Sequence, residues 1–140
     1  MKTSQTGISL IESEEGLRLE TYNDIVGIAT IGYGHKLLKN EEYPNGITQE
    51  EAQLMLQADL AHVESYINRL APSANQNQFD ALADFGYNLG VGALQQMLAH
   101  GFDQVPNQIL SWDHAGGKVV AGLLRRRQAE LNLWNTAVTV

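Results

Sequence analysis

The feature that most restricts the fold is a change of hydrophobic period around Glu15. Up to that residue Ile8 and Ile11 recur at helical spacing, and Gly16 suits the left-handed position just past a helix end. From Leu17 to Leu38 the pattern is strand-like: Leu19, Tyr22, Ile28, Thr30 and Ile31 are separated by the turn formers Asn23-Asp24, Gly27, Gly32 and Gly34. A short helix over residues 6–15, capped by Ser4 or Thr6, therefore runs into a small antiparallel sheet of two or three strands. Such a sheet is marginal alone, so it must pack on a helix or border a cleft.

The remainder reads as helix. Residues 39–46 form a polar loop, and Thr48-Gln49-Glu50-Glu51 is a capping-box signature opening a long helix that runs towards Pro72. Glycines then punctuate helices over residues 75–89, 93–100 and about 105–112, a loop at residues 114–117, and a last helix over residues 123–135. Phe79, Leu82, Ala83, Tyr87, Leu94, Met97, Leu98, Ile109, Leu110, Leu124, Leu131 and Trp134 supply its core. With 44% hydrophobic residues in 140, the chain can bury a core as one domain. The expected architecture is α+β: a sheet lobe over about residues 16–47, and a larger helical lobe over about residues 70–140 that takes in the N-terminal helix. The long helix joins the two lobes, and a groove lies between them.

Charge narrows the partners. The formal net charge of -7 is concentrated in the first half, which disfavours a phosphate backbone, so no nucleic-acid partner is expected. Arg125, Arg126 and Arg127 read as a solvated face with one Arg turned inward to a carboxylate such as Glu130. No stretch approaches the roughly 20 apolar residues of a membrane span. The opening MKTSQTGISLIESEEG meets acidic residues before any apolar run, unlike a cleavable signal peptide, which predicts cytoplasmic synthesis. Without Cys there is neither a disulfide nor a thiolate metal site. A monomer needing no metal or cofactor is expected.

Two carboxyl groups carry the candidate chemistry. Glu15 shares the apolar face of Ile8 and Ile11, sits in a helix's last turn where the dipole disfavours negative charge, and has Glu12 and Glu14 close by. All three influences make it hold its proton, as a general acid must. Asp24 lies instead in a polar turn. Glycoside hydrolysis requires such an unequal pair, one acid to protonate the leaving oxygen and one carboxylate to direct water or stabilise charge. Helix-terminal Glu and turn Asp are also common structural residues, and Thr30 alone is an ordinary strand former.

The motifs are more specific than the spacing. Glu15-Gly16-Leu17-Arg18-Leu19, Tyr22, Asp24, Gly27 and Thr30-Ile31-Gly32-Tyr33-Gly34-His35 resemble the active-site segment of phage-type lysozymes, the endolysins of glycoside hydrolase family 24. Further matches are residues 77–82, residues 87–92, Trp112, residues 115–118, Gly122-Leu123, Arg126-Arg127 and Glu130, so the likeness extends over nearly the whole chain. It implies a lysozyme-like fold and cleavage of the β-1,4 bond between N-acetylmuramic acid and N-acetylglucosamine in peptidoglycan strands. By the same resemblance Glu15, Asp24 and Thr30 are catalytic, Glu15 protonating the glycosidic oxygen while Asp24 and Thr30 hold a water for inversion. It also implies substrate contacts at Lys36 and Tyr87, and a structural pair between His35 and Asp59.

His35 has two other readings, a catalytic base or, with Asp59 and His62, part of a metal site; lacking a His-x-x-x-His pair, the chain favours the structural one. The rival functions are a lytic transglycosylase on the same bond, which retention of Asp24 and Thr30 disfavours, and a non-catalytic wall-binding or phage structural module. The acidic balance departs from the basic character that helps many such enzymes reach anionic walls.

Overall fold

The computed structural model describes residues 1–138. Helix α1 (Gln5–Glu15) starts at Ser4, whose hydroxyl accepts from the Gly7 amide and donates to Asp80, while the Ser4 amide donates to Asp80 Oδ1 at 2.9 Å. Gly7 is required where α1 meets α3 (Gln76–Leu89), because a Cβ there would lie 2.8 Å from Asp80 Cγ. The helix ends at Gly16, as the sequence predicts, with φ of 72°.

Strands β1 (Arg18–Asn23), β2 (Ala29–Gly32) and β3 (His35–Lys36) form the expected antiparallel sheet in sequential order. Tyr22 pairs with Thr30 and Thr30 with Lys36, so these three residues make one row across the sheet. Both halves of the capping box are present at α2 (Gln49–Leu70): Glu51 N–H donates to Thr48 Oγ1 and Thr48 N–H to Glu51 Oε1, each at 3.1 Å. This helix reaches from the sheet to the helical lobe, about 33 Å at 1.5 Å per residue. Among the described residues no helix is long and apolar enough to cross a membrane.

The helical lobe is built around α3, which is buried continuously from Phe79 to Gly86 and so is covered on all sides. Gly86 lets it approach α2, since a Cβ there would meet Val63 Cγ1 at 2.6 Å. Its own Phe79, Leu82 and Phe85 are fully buried with Leu94, Met97 and Ile109, and each such side chain contributes about 1.5–3 kcal/mol.

Four expectations need correction. Helix α4 (Val91–Leu98) begins two residues earlier than the spacing predicts, because Gly90 both ends α3 and opens α4. The helix expected around residues 105–112 is one α turn, α5 (Val105–Gln108), flanked by 3₁₀ turns at Phe102–Gln104 and Ile109–Ser111. The loop expected at residues 114–117 belongs to a hairpin of β4 (His114–Ala115) and β5 (Lys118–Val119), with Gly116 and Gly117 supplying the two positive φ angles of its tight turn. In α6 (Ala121–Trp134) both Arg126 and Arg127 are buried, where one inward Arg was expected.

Candidate active site

The end of α1, the β1–β2 hairpin and β2 carry Glu15, Asp24 and Thr30. Glu15 is pinned from two sides: Arg126 Nη1 donates to its Oε2 at 2.8 Å, and a Cβ on Gly34 would lie 2.7 Å from its Oε1. Gly34, at φ of 83°, is thus needed both for the turn and for the carboxyl's place. Burial raises the proton affinity of Glu15, Arg126 opposes it, and Asp84 and Glu14 reinforce it; the balance lies above the ordinary carboxylate range.

Asp24 is held differently. Its Oδ1 accepts from the amides of Val26 at 3.0 Å and Ile28 at 2.8 Å, closing the hairpin turn, while its Oδ2 has no partner among the described residues. The phenol of Tyr22 is made harder to ionise by burial and then by the charge of Glu15, with Arg18 opposing and Asp24 adding to it. Beside Tyr22 in the sheet row, Thr30 is buried, and its Oγ1 donates to the Ile28 carbonyl at 2.8 Å, leaving lone pairs as acceptors.

A cleft of about 560 Å³ opens between Gly34, His35 and Lys36 on the sheet side, Ala58, Asp59 and His62 of α2, and residues 86–91. Its lining does not include Glu15, Asp24 or Thr30; Gly34, which touches Glu15, joins cleft and acid. Lys36 is exposed and lines this cleft. Tyr87 lines it too, but its hydroxyl donates to the Tyr33 carbonyl at 2.6 Å and so ties α3 to the β2–β3 turn.

His35 pairs with Asp59 through Nδ1 at 2.7 Å, joining the sheet to α2. Its Nε2 meets a second carboxylate, Glu41, at 3.0 Å. Burial works against the imidazolium, yet the bonds to Asp59 and Glu41 outweigh it and leave the pKa raised. Glu41 is lowered to about 2 by the Leu38 amide, the Tyr43 hydroxyl and then His35. With both ring nitrogens occupied by carboxylates, His35 has no free nitrogen to act as a base.

The partners that sequence reasoning missed are Arg126, Asp84 and Glu41. Asp84 carried a usable signal, since a charged residue inside the apolar run Phe79-Asp80-Ala81-Leu82-Ala83-Asp84-Phe85 must be paired if that run is buried. Glu41 carried none, because one Glu in a loop of polar residues does not announce its partner.

A sheet lobe and a helical lobe around a cleft, with a proton-retaining acid at a helix end and a second carboxyl in the adjoining hairpin, define a lysozyme-like protein. The family model for phage lysozyme matches residues 12–130, and the chain belongs to that family. It is 38% identical over 146 aligned positions to the endolysin of Bacillus phage B103, covering 97% of this chain and 55% of that protein. The endolysin of Acyrthosiphon pisum secondary endosymbiont phage 1 is 34% identical over 148 positions, covering 98% of this chain and 100% of its own length. The solved muramidase domain of SpmX from Asticaccaulis excentricus superposes with a TM-score of 0.84 at 33% identity, covering 97% of this chain and 99% of the domain. The chain spans little more than half the length of the Bacillus phage relatives it matches.

Proposed function

We propose that the chain is a muramidase: it hydrolyses the β-1,4 bond between N-acetylmuramic acid and N-acetylglucosamine in peptidoglycan and serves bacterial cell lysis. The observation that carries this reading is the unequal pair, Glu15 half-buried with raised proton affinity and Asp24 in a polar turn with one oxygen unengaged. Glu15 delivers its proton to the glycosidic oxygen as the bond breaks. Asp24, with an acceptor lone pair of Thr30, orients a water on the opposite face of the sugar and takes its proton, so that the product is inverted. Lys36 and the ring of Tyr87 contact the glycan in the cleft, and the His35–Asp59 pair fixes the cleft wall. The chain works as one domain, with a sheet lobe over about residues 16–47 and a helical lobe over about residues 70–140 with α1. It acts as a monomer on the cell wall after release from the cytoplasm, without a cofactor.

The test is a turbidity assay on permeabilised cells with the wild type and Glu15→Gln, followed by mass analysis of the released fragments. Clearing by the wild type alone, with reducing-end muropeptides, is the expected result. Anhydro products would assign a transglycosylase, and no clearing with retained wall binding would assign a binding module.

A further inference from the structure

A run of charged groups leads from Glu15 into the helical core. Arg126 presents one donor, Nη1, to Glu15 at 2.8 Å, and its two-donor edge to Asp84, with Nε to Oδ2 at 2.9 Å and Nη2 to Oδ1 at 2.8 Å. Arg127 gives the same kind of two-donor edge to Glu130, at 2.6 and 2.8 Å. Asp84, Arg127 and Glu130 have no exposed surface. The partly exposed Glu15 and the fully buried Asp84 thus share Arg126, while Glu130 takes Arg127. Burial works against the charge of Asp84, but Glu130 and then Arg126 hold it ionised. Glu130 binds a proton far more tightly than usual because of burial and then of Asp84, and Glu15 binds one more tightly because of burial, with Asp84 adding to it against Arg126.

We propose that Asp84 is a positioning residue for the reaction: by taking the two-donor edge of Arg126 it offsets the guanidinium charge that faces Glu15, so that Glu15 retains the proton it must deliver. Without that charge, Arg126 would be paired with Glu15 alone and would draw it into the ionised form that cannot act as an acid. The other titratable groups facing Glu15 are Glu14 from its own helix, Tyr22 from β1 and Tyr87 from α3. None of them supplies a positive charge, so Arg126 and Asp84 set the balance between them.

The inference rests on the muramidase reading only for its kinetic arm; the titration stands apart from it. In carbon-13-labelled protein the Glu15 carboxyl is titrated by NMR in the wild type, Asp84→Asn, Asp84→Ser and Arg126→Gln, and the pH–rate profile on peptidoglycan is recorded for each. A nearby opposite charge moves a carboxyl by about 1–3 pH units. The Asp84 variants are expected to lower the Glu15 midpoint by about one unit, with the alkaline limb of the rate following it, and Arg126→Gln to raise the midpoint. A merely structural role would let water reach Glu15 and move all variants the same way, towards the ordinary value. Shifts of one sign in all variants, an unmoved midpoint in a folded Asp84 variant, or loss of the fold in both Asp84 variants would overturn the proposal. A wild type that titrates as expected but leaves peptidoglycan intact would sink the muramidase reading and not this one.

Discussion

Changing Asp59 to Asn removes one of the two carboxylates that clasp His35, and its effect must depend on pH in a definite way. The His35–Asp59 contact, at 2.7 Å, is charge-assisted while the imidazole is protonated, and such bonds contribute about 1.5–3 kcal/mol. The Asp59 side chain is 34% exposed, so solvent screening discounts this to about 1–2 kcal/mol. At about 3–4 °C per kcal/mol for a chain of this size, Tm should fall by about 3–8 °C. A group whose pKa is raised on folding stabilises the fold below its unfolded value, about 6.5, and loses that contribution as pH rises through the folded value. The deficit of the Asp59→Asn variant should therefore be largest near pH 6 and shrink above the raised imidazole pKa. The Glu41 arm has the opposite sense: it is present above the ordinary carboxylate value and is lost as pH falls towards about 2. Thermal unfolding of the wild type and Asp59→Asn, followed by circular dichroism between about pH 2 and pH 9, reads both effects. An equal deficit at every pH would refute the charge argument, and none near pH 6 would remove Asp59 from the clasp. Activity, corrected for the folded fraction, should be nearly unchanged.

Three further outcomes follow from the same geometry. Gly34→Ala should cost about 1–2 kcal/mol for a side chain at φ of 83° and, by displacing the Glu15 carboxyl, lower kcat on peptidoglycan by about 10²-fold; a stability loss without a rate loss would contradict that placement. Gly86→Ala should destabilise by about 1–3 kcal/mol through collision with Val63 and leave the folded protein's rate unchanged, and adding Val63→Ala should restore part of the loss in chemical denaturation. The pH–rate profile should be a bell whose alkaline limb lies above the ordinary carboxylate range, because activity falls as Glu15 loses its proton through a raised pKa. A limb set by a group other than Glu15 would show itself by surviving unmoved in Arg126→Gln.

What could be read from the chain without coordinates was local. The capping box at Thr48, the stop at Gly16 and the alternation through Tyr22, Thr30 and Ile31 are written within a few residues, and the elements they predict are present. The Gly116-Gly117 hairpin was equally local, but two-residue strands are too short to show a period. The raised proton affinity of Glu15 was expected from its apolar face, the helix end and its acidic neighbours. Burial is the larger cause, and the counter-charge of Arg126, 111 residues away, could not be read from spacing. The inward Arg was anticipated at Glu130, yet a second one turns towards Asp84, because α6 presents successive residues to different parts of α3 and its own next turn. Glu41 lies only 6 residues from His35, yet it was illegible because a contact made from an irregular loop leaves no periodic trace.

In the proposed reaction Glu15 carries a proton to the glycosidic oxygen while Asp24 directs water from the other side. Proton NMR of freshly released muropeptides, recorded before mutarotation, reads the configuration at the new reducing end. The α anomer first is the predicted result, and its formation should vanish in Glu15→Gln. A β anomer first, or a 1,6-anhydro product, would contradict the mechanism.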